Sequence, residues 1–111
     1  MPDWLALCSR NREEVEGTAA EVAAATGREV LGLQADVVRS AEVKALVAAT
    51  LERFGKIDIL YNNAGIPMGA TPIEEVEDEF FDRTMAVNVR SVHLGIKHVV
   101  PYMKKQGGGV I

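Results

Sequence analysis

The chain is poor in the residues that usually announce specialised chemistry. Among its 111 residues there is one cysteine, Cys8, and there are two histidines, His93 and His98. A single cysteine excludes an internal disulfide and points to a reducing compartment. Cys8 lies inside an apolar run, which predicts a buried, inert thiol. The two histidines are five residues apart, about 140° around a helix, so they are poor co-ligands and no metal site is expected. Basic residues are not in excess: 12 Lys and Arg stand against 16 Asp and Glu, for a net charge of −4. That balance gives no support to nucleic-acid or membrane-surface binding, which favours a clustered basic face. No run approaches the about 18 apolar residues that would span a bilayer. Met1-Pro2-Asp3-Trp4 shows no basic segment before an apolar one, so no signal peptide is expected and a cytoplasmic protein is. Neither repeats nor low-complexity segments occur.

What is present is an alternation of short apolar runs with helical periodicity. The length suits one domain, residues 1–111. Trp4-Leu5-Ala6-Leu7-Cys8 reads as a first buried strand. Val15, Ala19, Val22 and Ala23 give a helix from about Arg12 to Thr26, stopped by Gly27. Val30 to Ala35 reads as a second strand, closed by Asp36. Ser40 is the expected N-cap of the next helix, whose apolar face is Val43, Leu46, Val47, Leu51 and Phe54, with Gly55 as its stop. Ile57-Asp58-Ile59-Leu60-Tyr61 reads as a third strand. Thr71-Pro72-Ile73-Glu74 has the form of a capping box, and the acidic run Glu74 to Glu79 reads as a solvated helix start. A long helix is expected from about Phe80 to Gln106, with Met85, Val92, Ile96, Val99 and Met103 in its apolar stripe. Gly107-Gly108-Gly109 ends it, and Val110-Ile111 looks like the beginning of another strand. The alternation argues for an α/β fold with a doubly wound parallel sheet.

Chemistry concentrates at the strand ends. The third strand runs into Asn62-Asn63-Ala64-Gly65, where small residues let backbone approach a ligand and Gly65 can take positive φ. Asp36-Val37 ends the second strand and Ser9-Arg10 the first. Open α/β sheets bind ligands in the crevice beyond such ends. Asn88 sits inside the long helix, where its amide competes for backbone hydrogen bonds.

The strand-end tetrapeptide, with Asp36 before it and Asn88 after it, resembles the short-chain dehydrogenase/reductase family along essentially the whole chain. The resemblance implies a Rossmann-like, NAD(P)-binding oxidoreductase that exchanges a hydride between nicotinamide and a carbonyl or alcohol substrate. It implies that Asp36 accepts a hydrogen bond from the adenine amino group, with Val37 beside it. Asn63, Ala64 and Gly65 would pack along the cofactor ribose, while Asn62 knits neighbouring strands. Asn88 would be the catalytic residue contributed by this segment, ordering a water in the proton relay. Ser9 stands where an acidic residue often holds the ribose hydroxyls of NAD, and Arg10 can pair with a 2′-phosphate. NADP is therefore the preferred cofactor and NAD the alternative.

The family's glycine-rich turn and its catalytic serine, tyrosine and lysine have no counterpart here. Tyr102 and Lys105 are three apart rather than four and read as structural. The sheet is thus expected to be partial, missing the family's first strand and the C-terminal strands. The absent first strand would lie between the strand at Leu5 and the strand at Ile57, leaving unpaired edges facing a gap. The expectation is a fragment of a dehydrogenase that is not a stable, active monomer alone, its parent assembling as a homo-oligomer. The competing reading is a non-catalytic nucleotide-binding or interaction module of the same fold.

Overall fold

Local signals place the first half of the chain. The computed structural model describes residues 3–111. Strand β1 covers Trp4–Ser9, helix α1 Arg12–Thr26, strand β2 Glu29–Gln34 and helix α2 Ser40–Phe54. Asn11 caps α1, its Oδ1 accepting from the Glu14 amide at 3.0 Å. Gly27 (φ 69°) ends α1 and Gly55 (φ 82°) ends α2, both in the left-handed region that glycine adopts without strain. β1 and β2 are parallel, with Trp4 opposite Glu29 and Ser9 opposite Gln34.

The second half departs further from local expectation. Ser40 is the first residue of α2 and does not cap it; Arg39 holds the N-cap position without a side-chain bond. The Ser40 hydroxyl instead lies 3.0 Å from His98 Nε2 on the last helix. The Thr71/Glu74 capping box does not form. Pro72 has an extended ψ of 141°, and residues Ile73–Glu75 make only a 3₁₀ turn. Helix α3 begins later, at Asp78, and runs to Met85. A π-turn, Ala86–Arg90, joins it to helix α4, Ser91–Gln106. The expected long helix therefore exists, interrupted at Asn88. Its buried side is also shifted: Ser91, Leu94, Gly95, Val99 and Met103 are inside, while Met85 and Ile96 face outward. The inward stripe is set by close approach to neighbouring segments, which favours small residues that hydropathy overlooks.

The third strand forms only as an isolated bridge between Ile59 and Val110. Leu60 N–H donates to Val110 O at 2.9 Å and Val110 N–H to Asp58 O at 2.8 Å. Among the described residues no ladder joins this pair to β1–β2. The two pairs are nonetheless aligned. Trp4 stacks on Phe54 at the end of α2, with ring centroids 4.4 Å apart, and Ile57 follows only three residues later. Both strands thus start at the same end and run the same way. Between them is a gap of about 950 Å3. One face of the gap is closed by Val43, Val47 and Thr50 of α2 and by Ser91, Gly95 and Val99 of α4. No α1 residue lines it, and Leu5, Ile59 and Tyr61 are exposed. The radius of gyration, 15.7 Å, exceeds the about 13 Å of a closed domain this size.

The halves meet in one apolar cluster: Val47, Ile57, Val99 and Met103, with Leu51 and Leu60 packed against it. α1 covers the β1–β2 pair separately, through Val15 and Ala19. Gly32 of β2 permits that contact, because a Cβ there would stand 2.8 Å from Val15 O and 3.0 Å from Ala19 Cβ. Gly32→Ala is expected to push α1 off the sheet and cost about 1–3 kcal/mol. Urea denaturation of the folded protein checks this; an unchanged midpoint would mean the helix shifts freely.

Candidate functional site

Parallel strands bring their C-terminal ends to one edge of the sheet. Ser9 closes β1 and Arg10 follows it, Asp36 and Val37 come after β2, and Asn63, Ala64 and Gly65 after the Ile57–Tyr61 segment. Val37, Asn63 and Ala64 also line the gap; Ser9, Arg10, Asp36, Gly65 and Asn88 lie outside that lining.

Around β1 and β2 the chain fixes its own turns. Asn11 N–H donates to Ser9 Oγ at 3.3 Å, and Gln34 Nε2 donates to Arg10 O at 3.0 Å. Arg10 is exposed and forms no ion pair among the described residues. A guanidinium with no internal partner keeps its donor fork available for an anion. Asp36 is more constrained. Its Oδ1 accepts from the Val38 amide at 3.2 Å, and its own N–H donates to Glu42 Oε1 at 3.1 Å. Arg39 Nε stands 3.8 Å from Asp36 and 3.4 Å from Glu42, so one guanidinium separates two carboxylates. A carboxylate has about four acceptor sites, so this turn leaves Asp36 able to accept from a ligand.

Asn88 organises the third strand end. Its Oδ1 accepts from Ile66 N–H at 2.7 Å, and its Nδ2 donates to Ile66 O at 2.9 Å. The side-chain amide thus pairs with one residue's backbone as a neighbouring strand would. The π-turn aims it. Ser91 N–H reaches back five residues to Ala86 O rather than four to Val87 O. The Val87 carbonyl is taken up by the Ser91 hydroxyl at 2.5 Å, and Ser91 is buried. Ser91 and Ile66 are site residues that the sequence reading missed; a serine inside an apolar helix face was the available signal for the first.

Glycine at 65 serves a different purpose from the one expected. Gly65 does not have positive φ; Gly69 does, at 75°. A Cβ on Gly65 would lie 3.4 Å from Asn88 Oδ1, so its smallness keeps the clamp unobstructed. Asn62 turns to α4. Its Oδ1 would be 2.7 Å from a Cβ on Gly95, so a glycine in mid-helix makes room for the amide. A helix-interior glycine is unfavourable by about 1 kcal/mol, and that cost was its signal in the sequence.

Neither Cys8 nor Tyr102 and Lys105 belongs to a reactive cluster. Cys8 is half-buried, and burial raises its thiol pKa above the ordinary value, which keeps it protonated. Lys105 Nζ lies over the Tyr102 ring at 5.8 Å on the outer side of α4.

A parallel α/β frame whose strand ends gather small residues, an aspartate and an unpaired arginine is the frame of a dinucleotide-binding domain. Comparison with known proteins makes the assignment specific. Residues 3–111 match the short chain dehydrogenase family model. The chain is 42% identical to 2-(R)-hydroxypropyl-CoM dehydrogenase of Xanthobacter autotrophicus, covering 98% of this chain and 44% of that protein. It is 41% identical to levodione reductase of Leifsonia aquatica, covering 96% of this chain and 40% of that one. The crystal structure of a 3-ketoacyl-ACP reductase from Sinorhizobium meliloti superposes with a TM-score of 0.89 at 35% identity, covering 96% of this chain and 42% of that one. The chain belongs to the short-chain dehydrogenase/reductase family, and it spans less than half the length of these relatives.

Removing the clamp tests its role. Asn88→Leu is expected to cost about 0.5–1.5 kcal/mol, because two solvent-exposed hydrogen bonds to the Ile66 N–H and C=O are exchanged for bonds to water. Amide exchange at Ile66 should accelerate while exchange in α1 stays unchanged. Unaltered exchange at Ile66 would show that the turn holds without Asn88.

Proposed function

We propose that residues 1–111 are the adenosine-side portion of an NAD(P)-dependent oxidoreductase acting on a small carbonyl or alcohol substrate. The observation that carries this reading is the gathering of three strand ends, bearing Arg10, Asp36 and Asn63 to Gly65, on one edge of a parallel frame. The residues present fit half of the cofactor. Asp36 and Val37 would meet the adenine, Ser9 and Arg10 the ribose or its 2′-phosphate, and Asn63, Ala64 and Gly65 the ribose wall. Nothing in the chain supplies a glycine-rich cradle for the pyrophosphate, and no Tyr-x-x-x-Lys pair is present.

When bound, the nicotinamide supplies the hydride chemistry. The chain's own residues bind and orient. Small side chains at 63–65 let backbone approach the ligand, and Asn88 keeps that turn in place through Ile66. The proposed relay role of Asn88 in ordering a water is compatible with this clamp, since each amide atom keeps a further hydrogen-bonding site.

NADP is the proposed cofactor. The support is Arg10, exposed and unpaired beside Ser9 rather than beside an acidic residue. Related structures include an NADH complex of a Brucella melitensis reductase and a 5-hydroxy-NADP complex of a Thermococcus sibiricus alcohol dehydrogenase, so the fold accommodates both types. We also assign the longer parent to a homo-oligomer. Phe81, Met85, Val89 and Ile96 leave apolar surface on the outer side of α3 and α4, which a second copy would cover. No helix among the described residues is long and apolar enough to cross a membrane, and a cytoplasmic location is proposed from the cysteine usage and the charge.

Arg10→Asp tests the cofactor assignment in a polypeptide extended to the length of the relatives. NADP affinity is expected to fall at least about tenfold, the effect of losing one charge-assisted pair, while NAD binding holds or improves. Fluorescence titration with both cofactors checks it, and an unchanged NADP affinity rejects the role of Arg10.

A further inference from the structure

Strand β2 hands over to helix α2 through a tight turn, and three charged side chains meet there: Asp36, Arg39 and Glu42. Ala35 is buried and still tied to the sheet, its N–H donating to Ser9 O at 2.9 Å. The backbone bonds of Asp36 go elsewhere. Its C=O accepts from Arg39 N–H at 3.0 Å, which closes the turn over Val37 and Val38. Its side chain tightens the same turn, Oδ1 accepting from Val38 N–H at 3.2 Å. The turn itself offers no acceptor for the Asp36 N–H. Glu42 supplies one from outside, at 3.1 Å through Oε1.

Glu42 is the third residue of α2, where a glutamate ordinarily reaches back to the N–H of the N-cap residue. Here that N–H, on Arg39, is already taken by Asp36 O. The Glu42 carboxylate therefore passes over its own cap and reaches six residues back, to the end of β2. Its charge is favoured in the first turn of a helix. The other Glu42 oxygen faces Arg39. Arg39 Nε stands 3.4 Å from Glu42 Oε2 and 3.8 Å from Asp36 Oδ2, so the guanidinium sits nearer to Glu42. A separation of 3.8 Å is too long for a hydrogen bond. Asp36 thus keeps Oδ2, and part of Oδ1, free to accept from a ligand.

We propose that Glu42 is a positioning residue that aims the Asp36 carboxylate so that it selects adenine over a base with oxygen in place of the amino group. The inference rests on the dinucleotide reading and deepens it. A carboxylate separates the two kinds of base by charge. The amino group of adenine donates to Asp36, whereas the oxygen of hypoxanthine presents lone pairs that an anion repels. Selection depends on the direction of the carboxylate, because a hydrogen bond weakens steeply off its axis. Glu42 fixes the one backbone group of Asp36 that the turn leaves loose. It also draws Arg39 aside, which leaves the Asp36 oxygens open to the base.

The test uses a polypeptide extended to the length of the relatives and four probes: NADP, NAD and the hypoxanthine analogue of each. Fluorescence titration gives the preference for adenine as a ratio of affinities. Without substitution this ratio is expected to be at least about tenfold, the effect of one charge-assisted hydrogen bond. Glu42→Ala should lower it at least about threefold while leaving the affinity for the hypoxanthine forms within about twofold. A merely structural loss would weaken all four probes alike. Glu42→Gln keeps an oxygen acceptor for the Asp36 N–H and should hold the ratio within about twofold. Amide exchange reads the same contact without nucleotide. Exchange at Asp36 should quicken at least about threefold in Glu42→Ala and not in Glu42→Gln, with Ala35 unchanged in both. The inference is overturned if Glu42→Ala keeps the original ratio, if it weakens all four probes equally, or if Glu42→Gln loses as much as Glu42→Ala. Asp36→Asn separates this inference from the reading beneath it. If Asp36→Asn lowers the ratio and Glu42→Ala does not, only the positioning role falls. If neither lowers it, or no probe binds, the adenine role of Asp36 falls as well.

Discussion

One apolar joint holds the molecule together. Among the described residues no backbone ladder connects the β1–β2 pair to the pair formed by Ile59 and Val110. What connects them is the packing of Val47 on α2 against Ile57, Val99 and Met103. Gln106 reinforces it by donating from Nε2 to Ile57 O at 2.6 Å and to Gly108 O at 3.0 Å. Burying each such side chain stabilises by about 1.5–3 kcal/mol before the entropy of ordering the chain is counted. The relative placement of the strand ends, and hence of every candidate binding residue, depends on this contact.

Within that frame the strand ends are held by different means. At β1 and β2 the turns are secured locally, by Ser9 on Asn11 and by the Asp36, Arg39 and Glu42 group. At the third strand end the hold is not local, because the Ile57–Tyr61 segment has one bridge among the described residues. Asn88 reaches across from the π-turn and substitutes for a strand partner at Ile66. Two positions in α4 that look weak by helix propensity, Ser91 and Gly95, serve this region. One satisfies the carbonyl that the π-turn displaces, and the other clears space for Asn62.

Much of the fold was legible. α1 matched its expected range because its apolar spacing and its Gly27 stop are properties of the segment itself. β1 and β2 were legible as apolar runs between breakers. The Thr71/Glu74 box was misleading, since a capping box describes a possible helix start and the chain here continues into a 3₁₀ turn before α3. The third strand was legible in residues and absent as a ladder, because a strand needs partners and Ile57–Tyr61 has one bridge. For the site, the residue types at 9–10, 36–37 and 63–65 were legible as strand ends. The φ of Gly65, the constraint on Asp36 and the clamp from Asn88 were not, since each involves a residue several positions or a whole helix away.

The sequence by itself determined the family, the alternation of strands and helices, and the residues that sit at the strand ends. These follow from patterns within about 15 residues, where periodicity, caps and turn residues act directly. Only the tertiary structure decided that the strands form two separate pairs, that a gap with opposed backbone edges lies between them, and that Asn88 holds Ile66. Those outcomes rest on contacts across tens of residues, whose partners are chosen by packing and by unmet hydrogen bonds rather than by local preference.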